Sequence, residues 1–144
     1  MGVTHYWTRA TELPKATFAA AVQDASAVLS RTDVALAGFE GHGQPILQPD
    51  AIVFNGAARA SCEPFEVRQV EFDRRGRPLK SSYCKTELRP YDLLVKVTLI
   101  VLKHHLGDEL QVASDQDDDA WEDARRLVVN TLGFGDEFRL NRKE

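Results

Sequence analysis

Residues 90–106 read PYDLLVKVTLIVLKHHL, and this stretch limits the fold more than any other. At 100° per residue, Leu93, Leu94, Val95, Val97, Leu99, Ile100, Val101 and Leu102 cover most of a helix's circumference. Asp92, Lys96 and Lys103 are left as one polar line, within about 40° of one another. A helix apolar nearly all round belongs in an interior. This one is too short to span a bilayer, and Lys96 interrupts it. The stretch therefore predicts a buried central helix over about residues 91–106, which the rest of the chain must enclose.

The rest of the chain supplies covering elements. In VTHYWTR, Val3, His5 and Trp7 alternate with Thr4, Tyr6 and Thr8, a strand period. TELPKATFAAAVQDASAVLS reads as a helix with Pro14 in its first turn and an apolar stripe of Phe18, Val22, Ala25 and Leu29. The runs Val34–Phe39 and Ile52–Phe54 flank a loop rich in Gly and Pro, and predict a strand, a loop and a strand ending at a turn, Asn55-Gly56. FEVRQVEF and LKSSYCK, joined by DRRGRP, predict a hairpin. GDELQVASD predicts a short strand carrying Leu110 and Val112. DDDAWEDARRLVVNTLG predicts an amphipathic helix with Trp121, Ala124, Val128 and Leu132 inward, acids in its first turn and Gly133 at its end. Phe134, Phe138 and Leu140 then offer a tail that docks on it. Most strands follow one another without a helical crossover. The expectation is a single α+β domain over residues 1–144: a mainly antiparallel sheet of four to six strands, with about three helices on one face.

With 43% apolar and 28% charged residues, the chain has the balance of a globular protein. Its net charge of −4 argues against general nucleic-acid or membrane-surface binding. Arg74, Arg75, Arg77 and Lys80 form a local basic cluster, read as a solvated hairpin tip. MGVTHYW lacks the basic-then-apolar pattern of a secretory leader, so a cytoplasmic address is expected, with Cys62 and Cys84 reduced and unpaired.

Most motifs fail on inspection. Asp115, Asp117 and Asp119 match the first positions of a calcium loop, but Ala120 stands where its glycine is needed and Arg126 where its glutamate is needed. No zinc spacing exists, and His104 and His105 diverge by about 100° on a helix. No metal or cofactor is expected. GHGQP lacks the Lys-Ser/Thr of a phosphate loop. Cys84 is a candidate nucleophile beside Lys85, but neighbours on a strand face opposite ways.

The cluster that survives is Lys85, Thr86, Tyr91 and Asp92 at the mouth of the central helix. A helix N-terminus offers free N–H donors and partial positive charge, suited to an anion such as a phosphate. Lys85 adds charge, Thr86 a hydroxyl and Tyr91 a stacking face, while Asp92 caps the helix, pairs with Lys96 or accepts from a ligand hydroxyl. Trp7 and Asn55 complete the candidate ligand-binding set.

HYW, FNG, CKT…PYDLLV, KHHLGD and SD…W leading to LGFG together resemble a family of small proteins from bacteriophages, prophages and bacterial genomes. The resemblance implies a mobile-element context and an intracellular address. The functional expectation is a non-catalytic binder of a small anionic ligand, of the kind that sequesters a phosphate-containing nucleotide signal of bacterial defence. The alternatives are a small hydrolase using Cys84 or an Asp–His group, with His104 a candidate, and a protein-interaction module. A homo-oligomer is compatible with all three.

Overall fold

The structure, a computed structural model, describes residues 2–141, so the outermost ends of the expected 1–144 domain lie outside it. In chain order the elements are β1 (Thr4–Arg9), α1 (Lys15–Leu29), β2 (Leu36–Ala37), β3 (Ile46–Gln48), β4 (Ala51–Gly56), β5 (Phe65–Arg68), β6 (Ser81–Lys85), α2 (Asp92–Leu106), β7 (Leu110–Ser114) and α3 (Glu122–Leu132). The fold is α+β, and every strand pairing is antiparallel. Two of the seven strands are short: β2 lies within the apolar run Val34–Phe39, and β3 within the Gly- and Pro-rich segment that follows it.

The helix α2 lies at the centre, as its composition requires. Leu94, Val95, Val97, Leu99, Ile100, Val101 and Leu102 are all buried, and each contributes roughly 1.5–3 kcal/mol by leaving water. The helices α1 and α3 pack along it. Gly133 ends α3 in the left-handed region at φ 82°, where a Cβ would be strained. The tail returns across the helix, and Phe138 stacks on Trp121 at 5.3 Å.

The strands form two sheets. In one, β1 lies between β6 and β7; in the other, β4 is central and pairs with β2, β3 and β5. The predicted hairpin exists only at its tip, where Phe72 bridges Pro78 and Asp73 N–H donates to Arg77 O at 2.7 Å. Below the tip the two arms diverge, β5 to β4 and β6 to β1. The reason is Arg9. Its guanidinium donates to Arg68 O at 2.7 Å, to Gln69 O at 3.1 Å and to Thr11 O at 3.0 Å, and pairs with Glu71. These bonds join the two sheets through a side chain.

Asn55-Gly56 is not a turn: both residues lie in β4 and pair with β2. Gly56 is needed because a Cβ there would come within 2.2 Å of Ala60 O. Among the described residues no helix is long and apolar enough to cross a membrane.

Candidate functional site

The pleat of β1 decides what is available to a ligand. Successive side chains point to opposite faces. His5, Trp7 and Arg9 go inward and are buried, while Tyr6 and Thr8 point outward and are exposed. Each face therefore has its own chemistry.

On the inner face, Asp92 is the centre of a buried polar cluster. Its Oδ1 accepts from Thr86 Oγ1 at 2.5 Å and from His5 Nε2 at 2.6 Å. Its Oδ2 lies 3.2 Å from Lys96 Nζ, which also donates to Ala120 O at 2.9 Å. Nε2 donates to the carboxylate, and the other ring nitrogen, Nδ1, is hydrogen-bonded to Ser114 Oγ at 2.8 Å. His5 also meets Trp121 edge-on at 5.1 Å. Burial by itself would raise the Asp92 carboxyl. The hydrogen bonds from His5 and Thr86, with the charges of His5 and Lys96, outweigh it and hold the group below the ordinary carboxylate range.

The residues expected to form an anion pocket are divided by this arrangement. Thr86 and Asp92 come together, but with each other and His5. Tyr91 is wholly buried, and its hydroxyl donates to Glu63 O at 2.5 Å; burial pushes it far above the usual phenol range. Lys85 belongs to the outward row of β6, opposite Thr4, and its ammonium lies 3.4 Å from Glu87. Lys85 and Tyr91 thus face different spaces. Trp7 is buried against Phe65 at 5.2 Å. Asn55 is buried too: its amide donates to Phe39 O and Cys62 O, and its oxygen accepts from Gly56 N–H and Cys62 N–H.

Cys62 and Cys84 are both free thiols. Cys84 is fully enclosed, and burial pushes its thiol up to about 12, so it is protonated at neutral pH. Its nearest acceptor is Glu63 O, at 3.4 Å. His104 stacks on Phe134 at 3.7 Å near the other end of α2, about 18 Å along the axis from Asp92. The acidic run caps and ties. Asp115 accepts from Thr4 N–H at 3.0 Å, Asp117 from Ala120 N–H at 3.2 Å and Asp118 from Leu140 N–H at 2.7 Å. Among the described residues no group of three or more His, Cys, Asp or Glu could hold a metal ion.

On the outer face, side chains stand in cross-strand rows. Tyr83, Tyr6 and Ala113 form one; Ser81, Thr8 and Gln111 form the next. Tyr6 is 41% and Tyr83 61% exposed, so no element of the fold covers them. Tyr6 Oη donates to Asp115 Oδ1 at 3.1 Å, which fixes that ring. Together with Leu79 and Asn141 these rows line a cavity of about 490 Å³. Sequence reasoning passed over this site and chose Trp7, the inward neighbour of Tyr6. The alternation was readable, but not which of its two faces the helices would cover.

The Ser114–His5–Asp92 chain was also unforeseen. Its members are far apart in sequence, and His5 meets Ser114 only because β1 and β7 pair in that register.

The chain matches no family model, no curated protein and no solved structure.

Proposed function

We propose that this protein is a non-catalytic binder of a small, ring-bearing polar molecule, held on the open face of the β6–β1–β7 sheet. The observation that carries the proposal is the in-register pair Tyr6–Tyr83 beside a cavity of about 490 Å³. Aromatic faces left in water favour a planar partner, by about 0.5–1.5 kcal/mol per ring pair beyond the area buried. Thr8, Ser81, Gln111 and Asn141 add hydroxyl and amide groups that can read the partner's polar edge. A protein that holds such a molecule unchanged lowers its free concentration, which is the sequestering role anticipated above.

A second reading has its own observation. Ser114, His5 and Asp92 form a continuous chain at 2.8 and 2.6 Å, the connectivity of a hydrolase triad. Two features count against it. His5 is fully enclosed on the inner face, and the Ser114 hydroxyl also accepts from Gln116 N–H at 3.0 Å. The chain reads better as a brace between β1, β7 and α2.

The test is incubation with a panel of nucleosides, nucleotides and aromatic metabolites, followed by mass spectrometry of the recovered small molecule. Retention of an unaltered compound, lost in Tyr6→Ala and Tyr83→Ala, is the expected result. A changed mass that disappears in Ser114→Ala would replace binding with hydrolysis.

A further inference from the structure

A fixed negative charge stands against the tyrosine face. The Asp115 carboxylate accepts from Thr4 N–H through Oδ2 at 3.0 Å and from Tyr6 Oη through Oδ1 at 3.1 Å. These two bonds place it at the edge of the Tyr6 ring, on the outer side of the β6–β1–β7 sheet. The residue is exposed. Among the described residues no lysine, arginine or histidine forms an ion pair with it. Lys85 faces the same side, opposite Thr4, but its ammonium lies 3.4 Å from Glu87. The cavity of about 490 Å³ beside the tyrosines has no charged side chain among its described lining residues. Its polar groups are the neutral hydroxyls and amides of Thr8, Ser81, Gln111 and Asn141. The charge held against this site is therefore negative and uncompensated.

We infer that the ligand is an organic cation: a ring-bearing molecule whose positive charge lies over the tyrosine rings, beside Asp115. The inference rests on the binding reading above and adds the sign of the ligand's charge. The face of an aromatic ring is the negative end of its quadrupole, and attracts a cation within about 6 Å of the ring centre. Tyr6 and Tyr83 stand directly opposite one another and supply two such rings. The carboxylate at the Tyr6 hydroxyl puts a full negative charge at the ring's edge, which adds to the attraction. An anion meets the reverse: the cavity offers it no cation, and Asp115 repels it. A neutral ring gains the stacking and leaves the carboxylate without a partner. A cation whose charge is spread over a ring or a quaternary ammonium group loses little water on binding and suits an aromatic surface. The net charge of the chain, −4, draws the same sign of ligand from a distance. That sign is opposite to the anion expected at the mouth of α2.

The experiment is calorimetric titration of the full-length chain with ring-matched probes: 1-methylnicotinamide, nicotinamide and nicotinate, then phenyltrimethylammonium, benzyl alcohol and benzoate. Each set holds a cation, a neutral molecule and an anion built on one ring. The cation is expected to bind about tenfold tighter than the neutral member at low salt, and the anion more weakly than either. The cation's advantage should shrink as NaCl is raised, because it is electrostatic. Asp115→Asn keeps an oxygen for Tyr6 Oη and removes the charge, so it should remove most of that advantage. Tyr6→Phe keeps the ring and releases it from Asp115, and should narrow the same ratio if the asparagine variant fails to fold. Lys85→Ala should leave the ratio near its parent value. A neutral or anionic member bound as tightly as the cation, or a cation advantage that survives Asp115→Asn, would overturn the charge assignment and leave the ring-binding site standing. No binding by any of these probes, nor by the nucleosides and aromatic metabolites above, would overturn both.

Discussion

Asp92 carries its charge inside the protein because His5, Thr86 and Lys96 hold it there. Removing one side of a buried ion pair leaves the other uncompensated, at a cost of about 3–5 kcal/mol. Asp92→Asn is therefore expected to lower stability at pH 7 by about 3 kcal/mol, measured by urea unfolding. The folded carboxyl titrates below the ordinary value of 3.8. Its stabilisation is complete above that value and is lost as pH falls from there through the lower folded pKa. The parent should thus lose stability below about pH 4, and Asp92→Asn should lack that share of the loss. A variant with the parent's full acid slope would mean that Asp92 is not the titrating group. Cys84 makes a second prediction at this scale. Enclosed and protonated, it should resist iodoacetamide in the native protein, leaving Cys62 as the thiol that reacts. Both should label after denaturation, and rapid native labelling of Cys84 would contradict its burial.

Within the elements, α2 and β1 make opposite demands. Leu99 is wholly buried, so Leu99→Asp should abolish folding, because a charge there has no partner. Lys96→Leu is less damaging, since His5 and Thr86 remain to hold Asp92. It still removes the bonds to Asp92 and Ala120 and should cost about 2–4 kcal/mol. Its two partners, Asp92 and Ala120, make Lys96 a structural residue. On β1, adjacent aromatics should respond in opposite ways. Trp7→Ala opens the core and should cost about 3–5 kcal/mol. Tyr6→Ala on the open face should change stability by less than about 1 kcal/mol yet impair ligand binding. Thermal melts and titrations of the two variants separate these outcomes. Similar destabilisation by both would mean that the pleat is misassigned.

At the scale of the whole molecule, the helices lie on one side of the β6–β1–β7 sheet and leave the other side in water. That asymmetry creates the site, and it also grades the stability. Amides in the middle of α2 are enclosed by both neighbouring helices and the sheets, and should exchange only with global unfolding. Those of the hairpin tip around residues 73–77, held by a single bridge and the bonds of Asp73, should exchange quickly. Hydrogen-exchange mass spectrometry checks this, and comparable protection in both would refute the layered arrangement. Ligand added at saturation should slow exchange in β6 and β1 and leave the tip unchanged, since the proposed contacts lie along the strands.

What the sequence determined by itself was set by local pattern. The buried central helix, the amphipathic α3 closed by Gly133, the docking of Phe138 and the α+β class all follow from the spacing of apolar residues and from end signals, which act over one or two turns of chain. The period of β1 was equally plain, because alternation is a property of neighbours. Only the tertiary structure decided which face of β1 the helices would cover, and so whether Trp7 or Tyr6 would meet a ligand. It alone placed His5, Asp92 and Ser114 within bonding distance and parted the hairpin arms around Arg9. It also placed Asn55 in a strand, where sequence suggested a turn. These outcomes depend on pairings between residues as many as 109 positions apart, such as His5 with Ser114. Their energies exist only after the chain has folded, so no short stretch of sequence can signal them.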